Sequence, residues 1–320
     1  MPSISATAPG KIILFGEHAV VYGRPAIAVP VEQVRAKATI LARPTAPRPG
    51  VFIEAPDIGL AAHLDELPVD HAFTLLFAGL QNHFSIDHFP ACHLRVTSTI
   101  PIASGLGSGA AISVAILRAA AEFLGHPLPL EDLSRLAYEA EKAYHGTPSG
   151  IDNTVIAYAK PVYFIRQQPL QFIRVAAPFN LVIAQSGITS STADVVAAVR
   201  QAHDQQPDAF ETLFDQVARI SNQALHAIQQ GTVADLGPLM TENHRVLQHM
   251  GVSLPELDHL IDTALQAGAL GAKLSGAGRG GNILALVNPE KAQTVAAALQ
   301  ASGAASTILT CISPTGGPPC

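Results

Sequence analysis

The chain has 320 residues, 48% of them apolar and 14% charged, which is enough for two domains or one large one around a substantial core. A net charge of −6 with no cluster of Lys or Arg excludes a nucleic-acid or anionic-membrane surface, and no apolar run has the length of a membrane span. There is no basic-then-apolar leader, and Cys92, Cys311 and Cys320 show no metal-like spacing, so the expectation is a soluble cytoplasmic protein in a reducing compartment.

In chain order, residues 11–15 and 26–31 read as strands around a tight turn at 20–25, and the alternating 36–42 segment extends that sheet. A helix lies within 64–84. Residues 92–99 alternate as a half-exposed strand does and lead into a turn of three glycines and two serines. An apolar-periodic helix follows over 110–124. Glu131 and Asp132 open a helix over 133–143, a Gly-Pro loop follows at 146–150, and 155–164 has strand character. Near residue 178 the pattern changes. A strong buried strand at 179–186 precedes helices at 193–202, 209–230, 232–250 and 256–267. A strand at 271–275 then turns through glycines 276–281 directly into a strand at 282–287, followed by a helix at 289–301 and a closing strand at 305–312. Early strands and later helices fit an α+β protein rather than alternating βαβ units.

The turn comprises Pro101, Ile102, Ala103, Ser104, Gly105, Leu106, Gly107, Ser108, Gly109, Ala110 and Ala111. Backbone N–H groups of such a turn converge at the positive end of a helix, which can hold phosphate without many basic side chains. It is not a Walker A loop, because no lysine follows its glycines. Gly105, Gly107 and Ala110 satisfy the letters of a dinucleotide-binding turn. The strand before them alternates, however, and Glu131 and Asp132 open a helix instead of ending a second parallel strand. The glycines at 276–281 also contain those letters, but a strand follows them. Taken alone, the 101–111 turn stays open to a Gly/Ser connection without a ligand.

Three segments together carry more. Ala-Pro-Gly-Lys-Ile-Ile-Leu-Phe-Gly-Glu-His-Ala-Val-Val-Tyr-Gly at 8–23, the 101–111 turn, and Lys-Leu-Ser-Gly-Ala-Gly-Arg-Gly-Gly at 273–281 resemble, in order and spacing, the three motifs of the GHMP small-molecule kinases. The segments 16–23, 145–153, 187–192 and 243–251 are similar to the mevalonate kinase branch. The resemblance implies a two-domain α+β fold. Its N-terminal ATP-binding domain, 1–177, would be like domain 2 of ribosomal protein S5, and 178–320 would be ferredoxin-like. It also implies ATP-dependent phosphorylation of the 5-hydroxyl of (R)-mevalonate to 5-phosphomevalonate in isoprenoid synthesis, with Mg²⁺, and a homodimer is common in the family. The alternatives are a sister kinase acting on phosphomevalonate, a sugar or homoserine, and a catalytically silent ligand sensor.

Phosphoryl transfer to an alcohol needs the triphosphate held, its charge neutralised and the hydroxyl brought in line. The 101–111 turn offers N–H donors, Ser108 a hydroxyl, and Glu141 a hard carboxylate oxygen suited to Mg²⁺. By resemblance, Glu141 holds Mg²⁺, Asp152 lies beside the substrate hydroxyl and Lys11 is the cation next to it, while Ser108, Ser104 or water would stand in as a metal contact for the serine that Gly109 replaces. Whether Asp152 acts as a base or electrostatically stays open. Glu17, His18 and Thr192 are implied substrate-pocket residues. Singly, each has a plainer reading: Asp152 as a cap or Asx turn, Glu141 on a solvated helix face, Lys11 at an exposed strand start, His18 as a hydrogen-bonded surface histidine. His145 follows Glu141 at a metal-like spacing, but no third ligand motif accompanies it. Two departures from the family pattern stand out. Gly109 replaces the second serine of G-L-G-S-S, and Arg279 interrupts four consecutive glycines, where an outward-pointing side chain is expected.

Overall fold

The computed structural model describes residues 3–101, 104–145 and 149–314, with the backbone alone at 143–145. Ile102, Ala103, residues 146–148 and the side chain of His145 therefore lie outside the described residues. The chain runs β1 (Ser3–Phe15), β2 (Ala26–Ala42), β3 (Val51–Ala55), β4 (Leu60–His63), α1 (Ala72–Phe84), β5 (Cys92–Ser98), α2 (Ser108–Phe123), α3 (Leu130–His145) and α4 (Ile151–Tyr158). It continues through β6 (Val162–Phe164), β7 (Gln171–Phe172), β8 (Phe179–Gln185), α5 (Thr192–Gln205), α6 (Pro207–Gln230), α7 (Leu236–His249) and α8 (Pro255–Gln266). It ends with β9 (Gly271–Ser275), β10 (Asn282–Val287), α9 (Ala292–Ala301) and β11 (Ser306–Ile312).

Contacts divide the chain into two compact units, each discontinuous in sequence. The first is Met1–Lys11, Val34–Ile102 and Leu106–Ala159; the second is Ile12–Gln33, Ala103–Gly105 and Lys160–Cys320. This differs from the single boundary at 177/178 read from the sequence, and the long strands are the reason. The sequence suggested two strands for 26–42, whereas β2 is one strand of 17 residues. Its first residues pair with β6, Ala26 opposite Phe164, and its last seven pair with β5, Ala36 opposite Ser98.

In the first unit, β5 lies antiparallel to β2 and parallel to β3, which pairs in turn with β4. Alternation sends Cys92, Leu94 and Val96 of β5 inward and Arg95 outward, as expected of a sheet with one covered face. Helices α1, α2 and α3 pack on one another, with α4 against α2 and α3. The central helix, α2, buries ten residues from Ala110 to Ala121, most of them alanines, so neighbouring helices approach closely.

In the second unit, a four-stranded antiparallel sheet has the order β11-β8-β10-β9. The sequence β8–helices–β9–β10–α9–β11 with that order is the split βαβ arrangement of ferredoxin-like folds. Strands β9 and β10 are buried along their whole length, because α7 and α8 pack on β9, and α8 also on β10. Among the described residues no helix is long and apolar enough to cross a membrane. Cys92 is buried and free, and Cys311 is disulfide-bonded.

The 155–164 segment, read as strand, is corrected by the structure. Residues 151–158 are α4, and only Val162–Phe164 is extended. Val155 and Ile156 suggest a strand by propensity, but with Ile151 they form the buried face of a helix begun at Gly150, whose φ is 88°. The short strands β3, β4 and β7 were not anticipated.

Candidate functional site

In the first unit, the turn and two helices converge on Lys11. The Lys11 backbone N–H donates to the Leu106 carbonyl at 2.9 Å, tying β1 to the glycine turn. Gly107 caps α2 at φ 75°. A Cβ there would lie 2.8 Å from Ile156 Cδ1 and 3.0 Å from Lys11 Cγ, so glycine is what lets the lysine stem lie against the turn. Nζ of Lys11 then meets Asp152 Oδ1 at 2.8 Å. Asp152 is not in an Asx turn; it stands in the first turn of α4, where the helix dipole favours a carboxylate.

The elements carrying this pair are fastened to each other. The Arg118 guanidinium on α2 donates to the Thr7 carbonyl on β1 and to the Ala157 carbonyl on α4, both at 2.7 Å. The buried Asn153 side chain donates to Ser134 Oγ at 2.8 Å and to the Ser134 carbonyl at 3.1 Å, which joins α4 to α3. Thr154 Oγ1 donates back to the Gly150 carbonyl at 2.7 Å.

Glu141, on α3, is 8% exposed and not on a solvated face. Burial pushes its carboxyl up to about 8, and the Asp152 carboxylate adds to this while Lys11 opposes it. Ser108 opens α2 half-buried, Gly109 is exposed, and Ala110 and Ala111 are buried. Among the described residues no side chain caps this helix, so its first backbone N–H groups are not taken by a capping residue there. Of the rest of the turn, Pro101 is half-buried, Ser104 and Leu106 are buried, and Gly105 is exposed at φ 73°.

Other expected site residues fall in the second unit. Glu17 is 1% exposed and ion-paired with Lys273 at the centre of β9. His18 is buried and its Nε2 bonds the Ala277 carbonyl at 2.8 Å. Burial pushes the His18 imidazole down to about 4, the Ala277 bond opposing and the Arg279 and Lys273 charges assisting. Thr192 is exposed at the start of α5. Two residues earlier, Ser190 Oγ donates to the Gly278 carbonyl at 2.8 Å. Ser104 is fixed by the Asn282 side-chain amide, which donates to its carbonyl.

The third glycine turn is braced on several sides. Arg279 N–H donates to the Val252 carbonyl at 2.7 Å and Gly281 N–H to the Ile188 carbonyl at 2.9 Å. A Cβ on Gly278 would lie 2.2 Å from Val252 O. Arg279 adopts φ 52°, is exposed, and sends Nε to the Gly251 carbonyl at 3.2 Å. Sequence reasoning missed Lys273, Asn282 and Arg118 as site-building residues. A lysine inside an otherwise apolar strand was the available signal for the first.

The sequence profile of the GHMP kinases N terminal domain matches residues 71–160, and that of GHMP kinases C terminal matches residues 224–305. With the α+β architecture, these matches define the class, a GHMP kinase fold. The mevalonate kinase of Pyrococcus horikoshii is 34% identical, with 94% of this chain and 93% of that protein aligned. That of Pyrococcus abyssi is 33% identical over the same shares. The crystal structure of L. major mevalonate kinase in complex with R-mevalonate superposes with a TM-score of 0.85 at 30% identity, covering 98% of this chain and 97% of that one. The chain belongs to the GHMP kinase superfamily, in its mevalonate kinase branch.

Proposed function

We propose that this chain transfers the terminal phosphoryl group of ATP to the 5-hydroxyl of (R)-mevalonate, giving 5-phosphomevalonate for isoprenoid synthesis. The Lys11–Asp152 pair is the observation that carries this reading. Its ammonium is nearly buried while its carboxylate keeps about a third of its surface open. A hydroxyl set against that carboxylate can hand its proton to Asp152, and Lys11 stabilises the negative charge that grows on the oxygen.

The uncapped first turn of α2 supplies backbone donors for phosphate oxygens, in keeping with a chain that has few basic side chains. Glu141 and Ser108 fit a Mg²⁺ ion. A buried carboxyl held at about 8 regains its charge most readily beside a cation, and the Ser108 hydroxyl would add a second oxygen donor. When bound, Mg²⁺ supplies neutralisation of the charge on the β- and γ-phosphates.

Product identification tests the reading. Incubation with ATP, Mg²⁺ and (R)-mevalonate should give ADP and one phosphomonoester, located at C5 by ³¹P NMR and mass spectrometry. Absence of that product, or a phosphate on the tertiary hydroxyl, overturns it.

A further inference from the structure

Lys273 lies in β9 with no exposed surface, and its Nζ donates to Glu17 Oε1 and, at 2.6 Å, to the Leu274 carbonyl. Burial pushes the Lys273 ammonium below its ordinary value, and the Glu17 carboxylate opposes that shift. Such a pair adds little stability over two apolar side chains of the same volume, because desolvation offsets the attraction. What it does impose is one geometry between residues 256 positions apart in the chain.

That geometry is expressed at the next residue. His18 holds φ 60° and ψ −51°, a conformation that non-glycine residues seldom adopt without support from their surroundings. Because a carbonyl only accepts, His18 Nε2 carries the proton it gives to Ala277 O, which leaves Nδ1 as an acceptor. On the other side, Gly16 at φ 102° passes so close to β2 that a Cβ would lie 2.3 Å from Ala26 Cα. The chain end of β1 is tied as well, since Ser275 Oγ donates to the Ile13 carbonyl at 2.7 Å. Residues 16–18 are thus held by a backbone contact, an ion pair and a hydrogen bond in succession.

We infer that the buried Glu17–Lys273 pair is a positioning device, which registers the first motif on β9 so that His18 is presented at a fixed place and in a fixed tautomer, while neither charge touches substrate. On this reading Glu17 acts on the pocket through His18 rather than by direct contact. The inference rests on the kinase reading above and on the pocket role that the family resemblance implies for His18.

The test compares a double variant, Glu17→Leu with Lys273→Met, against wild type in melting temperature, in KM for ATP and for mevalonate, and in kcat. Removing both charges should leave the melting temperature and the ATP KM close to wild type while raising the mevalonate KM roughly 10- to 100-fold, as expected when a binding group is displaced by about an ångström. His18→Ala should raise the mevalonate KM similarly, and adding it to the double variant should bring no further loss. A double variant with wild-type mevalonate KM, or losses that multiply with His18→Ala, overturns the inference. Lys273→Arg keeps the charge and serves if the double variant does not fold; its mevalonate KM should rise alone, and an unchanged value overturns the inference. If wild type phosphorylates a different alcohol, the kinase reading fails, and the same KM split measured with that alcohol still decides the role of the pair.

Discussion

Lys11 Nζ and Asp152 Oδ1 stand 2.8 Å apart, with the lysine side chain 6% exposed and the aspartate 32%. The asymmetry leaves the carboxylate as the group open to a substrate. Asp152→Asn keeps size and removes the charge, so kcat should fall by roughly 10²- to 10⁴-fold, the usual worth of a positioned general base. ATP affinity, measured by calorimetry, should stay near wild type, because the proposed nucleotide donors belong to the turn before α2. Unchanged turnover would refute the role.

Glu141 gives a pH dependence with a definite sign. Its folded value lies near 8, above the ordinary carboxyl value, so its contribution to stability is fully present in acid and is lost as pH rises through about 8. The melting temperature of the ligand-free protein should therefore fall between about pH 5 and 8.5, and Glu141→Gln should flatten that slope. On the proposed role of Glu141, Mg²⁺ would compete with the proton for this carboxyl, so the stabilisation it brings should grow over the same range. Identical slopes in wild type and variant would remove Glu141 from the account.

Two glycines of the 101–111 turn should respond in opposite ways. Gly107→Ala forces a Cβ against Ile156 and Lys11 at a positive φ, so it should lower stability by about 1–3 kcal/mol in urea denaturation and reduce kcat as well. A Cβ on Gly109 would meet nothing within 4 Å, and the residue lies in the first turn of α2. Gly109→Ser should be tolerated, gain up to about 0.5–1 kcal/mol, and lower the Mg²⁺ concentration needed for half-maximal rate. Loss of folding in Gly109→Ser would contradict the open space seen there.

Cys92 is buried, and burial pushes its thiol up to about 12. In native protein it should resist alkylation by iodoacetamide at neutral pH and react only after unfolding, as peptide mapping would report. Rapid native labelling of Cys92 would contradict its placement.

Much of the fold was legible because it rests on local signals. The 104–111 turn, the apolar period of α2 and the Lys11 and Asp152 motifs are written in neighbouring residues. The missed parts depend on distant partners. Val155 and Ile156 have strand propensity, and only packing on α2 and α3 makes them helical. β3 and β4, at five and four residues, are too short for periodicity to separate from loop. A Lys in a strand ordinarily faces solvent, and nothing local to residue 273 announces Glu17 as its partner. Likewise, the exposed Arg279 at φ 52° is explained by the Gly251 and Val252 carbonyls it reaches, which no spacing rule joins to it.

The most direct measurement is the specificity constant, kcat/KM, for a panel of alcohols with coupled ADP detection: (R)-mevalonate, 5-phosphomevalonate, galactose and homoserine. The account predicts that (R)-mevalonate exceeds each of the others by at least roughly 10²-fold, the discrimination expected of a site built to hydrogen-bond one alcohol. A larger constant for any of the other three, with little or no ADP formed from mevalonate, would contradict it.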